Sequence, residues 1–506
     1  MNSYSLDDPI LFIGKEKVPW TIGNSVEGLQ IFGGIGSGKT SGSGRFFALK
    51  YLSKGYGGLV LTVKHDEKDE WIKYCKIANR ENDLIIAEPK GKHYFNIMDY
   101  ESSNQHGDSY TDNIMQVLKT VIRASEEKDT GKNDDPFWEN ASDMLISNTI
   151  DLCMLAYQKV SIELLYNIAR TVLKSAFLKK TKNNHVVVND TDEIVEFDKA
   201  MLLAIDHVRE KNVRWSSTIG IYEQSKMTED EQHEAILQNV PEARIFASVK
   251  EFFLNTYADL NEKTRSIVDF TFTGFLYRLL REPVYSLFFN KPSTFTPDDC
   301  LNGKIIIINL PVKIYHKVGR DIQIMFKYIW QRAMEKRNVK ENGRPVFLWA
   351  DEAQNFLHEY DPEYQATARS SRIATVYISQ NLPNYYANMG GAKAEFKVKS
   401  FLGTLATKIF HANADIETNK YASELIGEDY KEDWNESTNT VDGKVSITRT
   451  VSLKLLKLVR PETFNVLLTG GNKNDKKVTG YIHVQGLIIQ DGYSHHRIRF
   501  NQEYEP

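Results

Sequence analysis

Residues 33–40 read Gly-Gly-Ile-Gly-Ser-Gly-Lys-Thr, which fits the phosphate-binding pattern G-x-x-x-x-G-K-[ST]. In such a loop, backbone N–H groups surround phosphate oxygens, the lysine reaches the β- and γ-phosphates, and the final hydroxyl binds Mg²⁺. An apolar run at 29–32 precedes the loop, and residues 41–52 have the pattern of a helix, whose N-terminus would favour a phosphate. A glycine-rich turn that matches by chance is the alternative, and these flanks argue against it.

The loop therefore predicts that ATP and Mg²⁺ are the cofactors. We expect Lys39 to act on the reacting phosphates and Thr40 to hold the metal ion. The residues expected to bind the nucleotide are Gly33, Gly34, Ile35, Gly36, Ser37, Gly38, Lys39, Thr40 and Ser41.

Composition narrows the class of protein. The chain has 506 residues, of which 41% are hydrophobic, so it can build a large core. The three cysteines (Cys75, Cys153 and Cys300) lie far apart, which argues against a disulfide framework or a zinc site. The first residues are polar and acidic, unlike a signal peptide, and no apolar run is long enough to span a membrane. We expect a cytoplasmic protein, or one held at the inner membrane through a partner.

Net charge neither supports nor excludes DNA as a partner. The formal charge of −4 shows no overall basic surface, but a local basic channel would suffice for a motor. A candidate basic segment contains Lys393, Lys397 and Lys399, for which a solvated lysine-rich face is the simpler interpretation.

The pattern along the chain predicts an α/β fold with a mainly helical insertion. Apolar, strand-like runs alternate with helical patterns before residue 105 and return after residue 304, which indicates a parallel central sheet. Between them, apolar residues recur every three or four positions, as at Ile162, Leu165 and Ala169 and again at Ile267, Phe270 and Tyr277. We predict a nucleotide-binding domain in two parts, 1–104 and 293–506, and an all-α domain at 105–292. The pattern also predicts exposed polar loops at 181–193 and 222–234, a long helix at 319–338, and two late β segments at 444–451 and 477–484.

Two further candidate site residues follow the apolar run at 346–350. Asp351 and Glu352 end this run, which is the Walker B form. Asp351 would hold Mg²⁺, which prefers hard oxygen ligands, and Glu352 would polarise the attacking water. A buried strand ending in a solvated turn is the alternative, and the phosphate-binding loop on the same chain makes it weaker.

A third run, at 373–379, ends in Gln380, which could contact the γ-phosphate or the attacking water. An ordinary polar residue at a strand end is the competing interpretation. Arg369 and Arg372 lie just before this run, and either is a candidate finger for a neighbouring subunit or an ordinary surface arginine. Of the two we favour Arg369.

These pieces together resemble the FtsK/HerA superfamily of motor ATPases, and most closely the TraG/TraD-like coupling proteins of conjugation and type IV secretion. The resemblance extends over nearly the whole chain. Beyond the two Walker motifs and Ser379-Gln380, it rests on the segments 61–67, 94–100, 135–141, 349–356 and 460–464. The two Walker motifs occur in many NTPases, whereas the order of the others around a helical insertion is more specific.

The resemblance implies a RecA-like P-loop NTPase domain interrupted by an all-α domain, assembled as a homo-hexameric ring around DNA. It implies that Gln380 is a sensor and that Arg369 lies near the family's finger position. Most coupling proteins begin with transmembrane helices, and none precedes the loop here. Export across a membrane would therefore need a separate membrane-anchored subunit.

Three functions remain open from the sequence. The first is an ATP-hydrolysing motor that engages or translocates DNA or a DNA–protein substrate in conjugative transfer or type IV secretion, with non-specific DNA contacts. The second is a HerA-like ATPase of a mobile-element or antiviral defence complex, acting with a nuclease or other effector. The third is a ring scaffold with poor turnover, against which intact Lys39, Asp351 and Glu352 argue. His65 and Glu67 would lie on one face of an extended segment, as metal ligands can, but a polar loop after the strand is the safer interpretation.

Overall fold

The computed structural model describes residues 4–103, 110–130, 136–175, 177, 194–219, 226–389, 394–441 and 444–506. The chain divides into two compact units. The first comprises residues 1–86, 297–314 and 330–506, and the second comprises residues 87–296 and 315–329. The domain boundaries inferred from sequence stay a prediction. Among the described residues, no helix combines the length and the apolar character needed to cross a bilayer.

The strands all lie in or at the border of the first unit. In chain order they are β1 (Pro9–Ile13), β2 (Val18–Thr21), β3 (Leu29–Phe32), β4 (Gly57–Leu61), β5 (Leu84–Ala87), β6 (Ile305–Ile308), β7 (Val346–Ala350), β8 (Ile373–Ser379), β9 (Thr407–Phe410), β10 (Glu428–Val441), β11 (Lys444–Lys457), β12 (Lys477–Val484) and β13 (His495–Asn501).

Helices fill the second unit and flank the sheet of the first. In chain order they are α1 (Ile22–Ser25), α2 (Arg45–Ser53), α3 (Glu67–Ile77), α4 (Ile97–Ser102), α5 (Tyr110–Thr130), α6 (Pro136–Tyr157), α7 (Ile162–Ala169), α8 (Glu196–Ser216), α9 (Glu229–Asn239), α10 (Pro241–Glu251), α11 (Glu262–Leu279), α12 (Val284–Phe288), α13 (Val312–Lys336), α14 (Asp361–Thr367), α15 (Leu382–Met389), α16 (Ala394–Gly403) and α17 (Ile416–Ile426).

The central sheet has nine strands in the order β13-β12-β9-β3-β8-β7-β4-β6-β5. The strands from β9 to β6 in this order run parallel, while β12 and β13 continue the sheet antiparallel. Every residue of β7 and β8 is buried, as expected for parallel strands covered on both faces. The predicted α/β fold with a parallel central sheet is therefore confirmed.

The second unit contains the helical periodicity predicted from sequence. Helix α7 begins after Ser161, whose hydroxyl accepts a hydrogen bond from the N–H of Leu164 at 3.3 Å, and it buries Leu165 and Ala169. Helix α11 differs, because Phe270 on its apolar face is 78% exposed. Periodicity alone therefore located both helices, but it identified the buried face only for α7.

One loop prediction is wrong. The segment 222–234 is predicted to be an exposed loop, but α9 begins at Glu229, because Thr228 and Glu231 form a reciprocal capping box. The two late β segments predicted at 444–451 and 477–484 are strands in the structure. β11 pairs with β10, and β12 lies between β9 and β13. The predicted loop at 181–193 lies outside the described residues.

The predicted long helix at 319–338 is α13, which begins earlier, at Val312. Its helical geometry is interrupted at His316, where φ is 49°. The helix predicted after the phosphate-binding loop also begins differently. Residues 40–44 form a π-helical turn, with the N–H of Gly44 bonded to the carbonyl of Lys39 at 2.8 Å, before α2 starts.

Candidate nucleotide-binding site

The order of the strands explains why distant parts of the sequence meet. Strands β3, β8, β7 and β4 are consecutive neighbours in the sheet and run in the same direction. Their carboxyl ends therefore lie along one edge, where ligands of open α/β sheets bind. This edge carries the phosphate-binding loop after β3, Gln380 after β8, Asp351 and Glu352 after β7, and Lys64 shortly after β4.

Glycines are needed in the loop for backbone shape and for close packing. Gly36 and Gly38 have φ values of 69° and 80°, which favour glycine. A Cβ on Gly38 would lie 2.5 Å from Cγ2 of Val478 in β12. The loop therefore packs closely against β12, in the antiparallel part of the sheet. This packing and the two positive φ values hold the loop in the curved shape that a phosphate requires.

The two predicted metal ligands are in direct contact. The hydroxyl of Thr40 donates a hydrogen bond of 2.9 Å to Oδ2 of Asp351, which is only 3% exposed. A hydroxyl and a carboxylate side by side fit Mg²⁺, which takes one or two protein oxygens and completes its shell with water and phosphate. Nζ of Lys64 lies 3.3 Å from the same carboxylate oxygen, where it balances the negative charge of Asp351.

Glu352 is fixed in an uncommon backbone conformation. Its φ and ψ are 52° and 48°, in the left-handed region that a non-glycine residue rarely adopts. Its two carboxylate oxygens accept hydrogen bonds from Nε2 of Gln354 at 2.8 Å and Nε2 of Gln380 at 3.1 Å. Burial raises the pKa of the Glu352 carboxyl. The two amide donors and the charges of Lys39 and Lys64 outweigh this effect, so the pKa is lower than usual.

The backbone of Gln380 and the side chain of Gln354 are each held by a neighbouring polar group. The side chain of Asn413 donates to the carbonyl of Gln380 at 2.8 Å, and the hydroxyl of Ser379 donates to Oε1 of Gln354 at 2.9 Å. The structure thus links Gln380 to Glu352 directly. Of these residues, Gln354 and Asn413 were not identified from the sequence, because nothing in their local pattern distinguishes them from ordinary polar residues.

The sequence predicts a polar loop that includes His65 and Glu67, and the structure places Glu67, together with Lys64, beside Asp351. Oε2 of Glu67 accepts a hydrogen bond from the N–H of Val63 at 2.7 Å. Burial, reinforced by the negative charge of Asp351, raises the pKa of the Glu67 carboxyl to about 8. A small cavity of about 90 Å³ opens here, lined among others by Thr40, Glu67 and Trp71. In the sequence, Lys64 and Glu67 are two opposite charges that closely follow the buried strand β4, and this pattern could have pointed to the site.

A buried histidine joins the helix after the loop to the far side of the sheet. Nε2 of His411 lies 2.7 Å from the hydroxyl of Ser43, and Nδ1 lies 3.0 Å from the carbonyl of Thr479. These contacts are satisfied by a neutral ring with its proton on Nδ1. Burial, with a smaller contribution from the charge of Lys39, lowers the pKa of His411 to about 4.

We expect His411 to lower the stability of the folded chain in mild acid. Between pH of about 6.5 and 4, the unfolded chain binds a proton at this residue and the folded chain does not, so the contribution of His411 to the free energy of unfolding falls by about 1.4 kcal/mol per pH unit. Glu67, whose pKa is raised, contributes with the opposite sign, so the test compares two chains. Urea unfolding at pH 7 and pH 5 should show that the change from pH 7 to pH 5 is less destabilising in the variant His411→Gln than in the wild-type chain. An identical pH dependence in the variant would exclude His411 as the cause.

The two candidate fingers lie away from the phosphate-binding edge of their own chain. Both precede β8, so the length of this strand separates them from Gln380. Arg369 is 62% exposed in its side chain and forms an ion pair with Glu27 at 3.0 Å. Arg372 instead donates to the carbonyls of Tyr4 and Gly343, both at 2.7 Å. Arg369 therefore has an exposed side chain held by one ion pair, and its role as a finger stays a prediction.

The structure adds little support for DNA binding by the candidate basic segment. Lys393 lies outside the described residues, and Lys399 forms an exposed ion pair with Glu395 at 2.6 Å. Such a pair contributes little to stability and is typical of a solvated helix surface.

Comparison with known proteins gives a consistent picture. Residues 345–467 match the family model described as the TraM recognition site of TraD and TraG. This segment begins just before β7 and contains Asp351, Glu352, Arg369 and Gln380. By sequence, no curated protein matches the chain.

Solved structures of the bacterial conjugative coupling protein TrwB share the fold. An unbound form is 13% identical, with a TM-score of 0.59 over 98% of this chain and 89% of that one. A complex with the ATP analogue ADPNP gives 11% identity and a TM-score of 0.56 over 99% and 92% of the two chains. A complex with ADP and Mg²⁺ gives 11% and 0.58 over 100% and 91%. The chain therefore has the fold of a conjugative coupling protein and carries, over residues 345–467, the sequence pattern of the TraD and TraG family.

Proposed function

We propose that this protein is a coupling ATPase that hydrolyses ATP to engage or translocate DNA, or a DNA–protein substrate, in conjugative transfer or type IV secretion. One observation carries the proposal. Thr40 and Asp351 are in contact on one side of the site, and Glu352 is held by Gln380 on the other. A metal-binding pair next to an oriented carboxylate is the arrangement that phosphoryl transfer needs.

Each residue of the site has a proposed role. Residues 33–41 bind the phosphates through backbone N–H groups, and Lys39 neutralises charge on the β- and γ-phosphates. Thr40 and Asp351 would hold Mg²⁺, which neutralises phosphate oxygens when it is bound. Glu352 polarises the attacking water and accepts its proton, and the low pKa of its carboxyl keeps it ionised for this task. Gln380 orients Glu352 and the water, and Arg369 completes the site of a neighbouring copy.

The expected partners follow from the comparisons. TrwB is described as a plasmid and conjugative coupling protein, and its structures include complexes with nucleotides and Mg²⁺. The matching family model is described as a recognition site for TraM. The match to a TraM recognition site supports a protein partner. Non-specific DNA binding, a homo-hexamer and a membrane-anchored partner are proposed from the family resemblance. A location in the cytoplasm, with the membrane reached through that partner, stays a prediction.

The alternative, a HerA-like ATPase of an antiviral defence complex, is not favoured. The family model and the TrwB structures both come from conjugation. A nuclease that co-purifies stoichiometrically with the chain, and stimulates its hydrolysis more than DNA does, would be required to revive this alternative.

The ATPase rate of the purified chain, measured with and without single- and double-stranded DNA, tests the proposal. We expect DNA to raise the rate several-fold and a ring-sized species to appear by native mass spectrometry in the same samples. The stimulation should weaken steeply with added salt, because non-specific DNA binding releases counterions. A monomer whose rate is indifferent to DNA at low salt would contradict the DNA motor.

A further inference from the structure

The hairpin formed by β10 and β11 is an isolated two-stranded sheet. Its 14 residue pairs run without a break from Glu428 opposite Lys457 to Val441 opposite Lys444. Within the described part of the chain, neither outer edge pairs with another strand. Isolated hairpins are marginally stable in water, and long unpaired edges are templates for pairing with another chain.

One face of this hairpin is apolar and exposed. The register places Tyr430 opposite Leu455 and Trp434 opposite Val451, on the same face. Tyr430, Trp434 and Leu453 are 65%, 63% and 68% exposed. The same face carries the exposed side chains of Val445, Ile447, Val451 and Leu455. Glu432, Glu436 and Arg449 also lie on this face, between the apolar side chains, whereas the opposite face is mostly polar. The exposed apolar side chains of the hairpin are therefore concentrated on one face, as they are at interaction sites.

The charges of the hairpin are segregated by strand. β10 contains five acidic residues and one basic residue, whereas β11 contains four basic residues and no acidic one. Within one chain the strands already form exposed ion pairs, between Glu436 and Arg449 and between Glu428 and Lys457. The two free edges therefore carry opposite charge, and the acidic edge of one copy fits the basic edge of another.

The hairpin starts at the end of the sheet that also carries Arg369. The hydroxyl of Tyr493, between β12 and β13, donates to a carboxylate oxygen of Asp429 at the hairpin base. The adjacent end of β12 pairs with Thr407 at the start of β9, opposite the phosphate-binding edge. Arg369 contacts Glu27 just before β3, at the same end of the parallel strands.

We propose that each hairpin pairs edge to edge with the hairpin of the next copy of this chain, with acidic β10 against basic β11. Such a contact is heterologous, so it continues from copy to copy and can close into a ring. It removes the free edges and places the apolar side chains of neighbouring hairpins side by side. The inference rests on the proposed ring, and it adds the element that joins neighbours at the end of the sheet bearing Arg369.

Deleting residues 428–457 is the first test. The N–H of Leu458 donates to the carbonyl of Gly427 at 3.0 Å, so a short glycine link can replace the hairpin without straining its base. We expect the deleted chain to bind ATP normally and to lose the ring-sized species seen for the wild-type chain. Rings of unchanged abundance would overturn the hairpin proposal and leave the ATPase proposal intact. A wild-type chain that never assembles would overturn the ring and the hairpin contact, but not Lys39-dependent hydrolysis.

Reversing the charges is the second test, and it keeps the hairpin itself intact. The reversed chain carries Glu428→Lys, Asp433→Lys, Glu436→Arg, Arg449→Glu, Lys454→Glu and Lys457→Glu, which exchange the partners of the three in-chain ion pairs. We expect it to form rings with itself and to be excluded from wild-type rings when differently tagged chains are mixed. Mixed rings in random proportion, or a nucleotide-binding reversed chain that stays monomeric, would each overturn pairing by charge.

Substitutions on the two faces provide a matched control. Trp434→Ser with Leu453→Ser removes apolar area, and Asn435→Ser with Thr450→Ser changes the polar face by a similar number of residues. We expect at least a tenfold rise in the concentration needed for assembly for the first pair only. Equal effects of both pairs would contradict a role for the apolar face.

Discussion

Replacing Lys39 by alanine is expected to lower the rate of ATP hydrolysis at least about a hundredfold. The side chain is buried in the loop, where its ammonium is the positive charge available to the β- and γ-phosphates. Loss of one such charged group from a preorganised, water-poor site costs at least as much as loss of one oxyanion-hole donor. Hydrolysis at saturating ATP and Mg²⁺, and the dissociation constant for ATP, measure the effect.

The matched control is Lys54→Ala, which removes an exposed lysine at the other end of the helix that follows the loop. Its rate should equal that of the wild-type chain. Hydrolysis by Lys39→Ala at the wild-type rate would show that the site has been assigned to the wrong residues.

The Lys39→Ala variant also helps to test which arginine acts on a neighbouring copy. Arg369→Ala should hydrolyse ATP slowly alone. A mixture with Lys39→Ala should recover activity, because some interfaces then combine an intact loop with an intact Arg369. Arg372→Ala should lower stability instead, since its guanidinium donates to two backbone carbonyls of its own chain. No recovery in the mixture would remove Arg369 from the site.

Replacing Glu352 by glutamine should trap ATP rather than prevent its binding. The loop, Thr40 and Asp351 are unchanged, so affinity for ATP with Mg²⁺ should stay within a few-fold of the wild-type value. The base is lost, and one of the two amide donors to Glu352 loses its acceptor. We expect single-turnover hydrolysis to slow by roughly 10²–10⁴-fold.

An exposed glutamate gives the control for this change. Glu363→Gln on α14 removes the same charge without touching the site, and its turnover should be unchanged. Near wild-type turnover by Glu352→Gln would mean that another group activates the water, and Glu67, beside Asp351, would be the next residue to test.

Most of the sheet could be read from the sequence because its central strands are buried on both faces. Such strands appear as short apolar runs, and those at 29–32, 305–308, 346–350 and 373–379 are strands in the structure. Strands without that signal were missed. β9 begins with the polar residues Thr407 and Lys408, and β10 is mostly polar because both of its faces are largely exposed.

The phosphate-binding loop was predictable for a different reason. Its chemistry depends on local backbone geometry and on adjacent side chains, so the whole signal lies in eight consecutive residues. The Walker B carboxylates were predictable in the same way, as polar groups at the end of a buried strand. The sequence by itself therefore determined the fold class, and it predicted the cofactors and the residues expected to hold the phosphates and the metal.

Only the tertiary structure decided which residues contact the phosphate-binding loop and the two Walker B carboxylates. Lys64 and Glu67 lie near Asp351 because β4 is next to β7 in the sheet, although nearly 300 residues separate Lys64 from Asp351. Gln380 reaches Glu352 because β8 lies beside β7, and His411 contacts Ser43 because β9 lies beside β3. The physical reason is that strand order, which depends on packing of the whole chain, sets these distances, whereas the sequence displays only neighbours along the backbone.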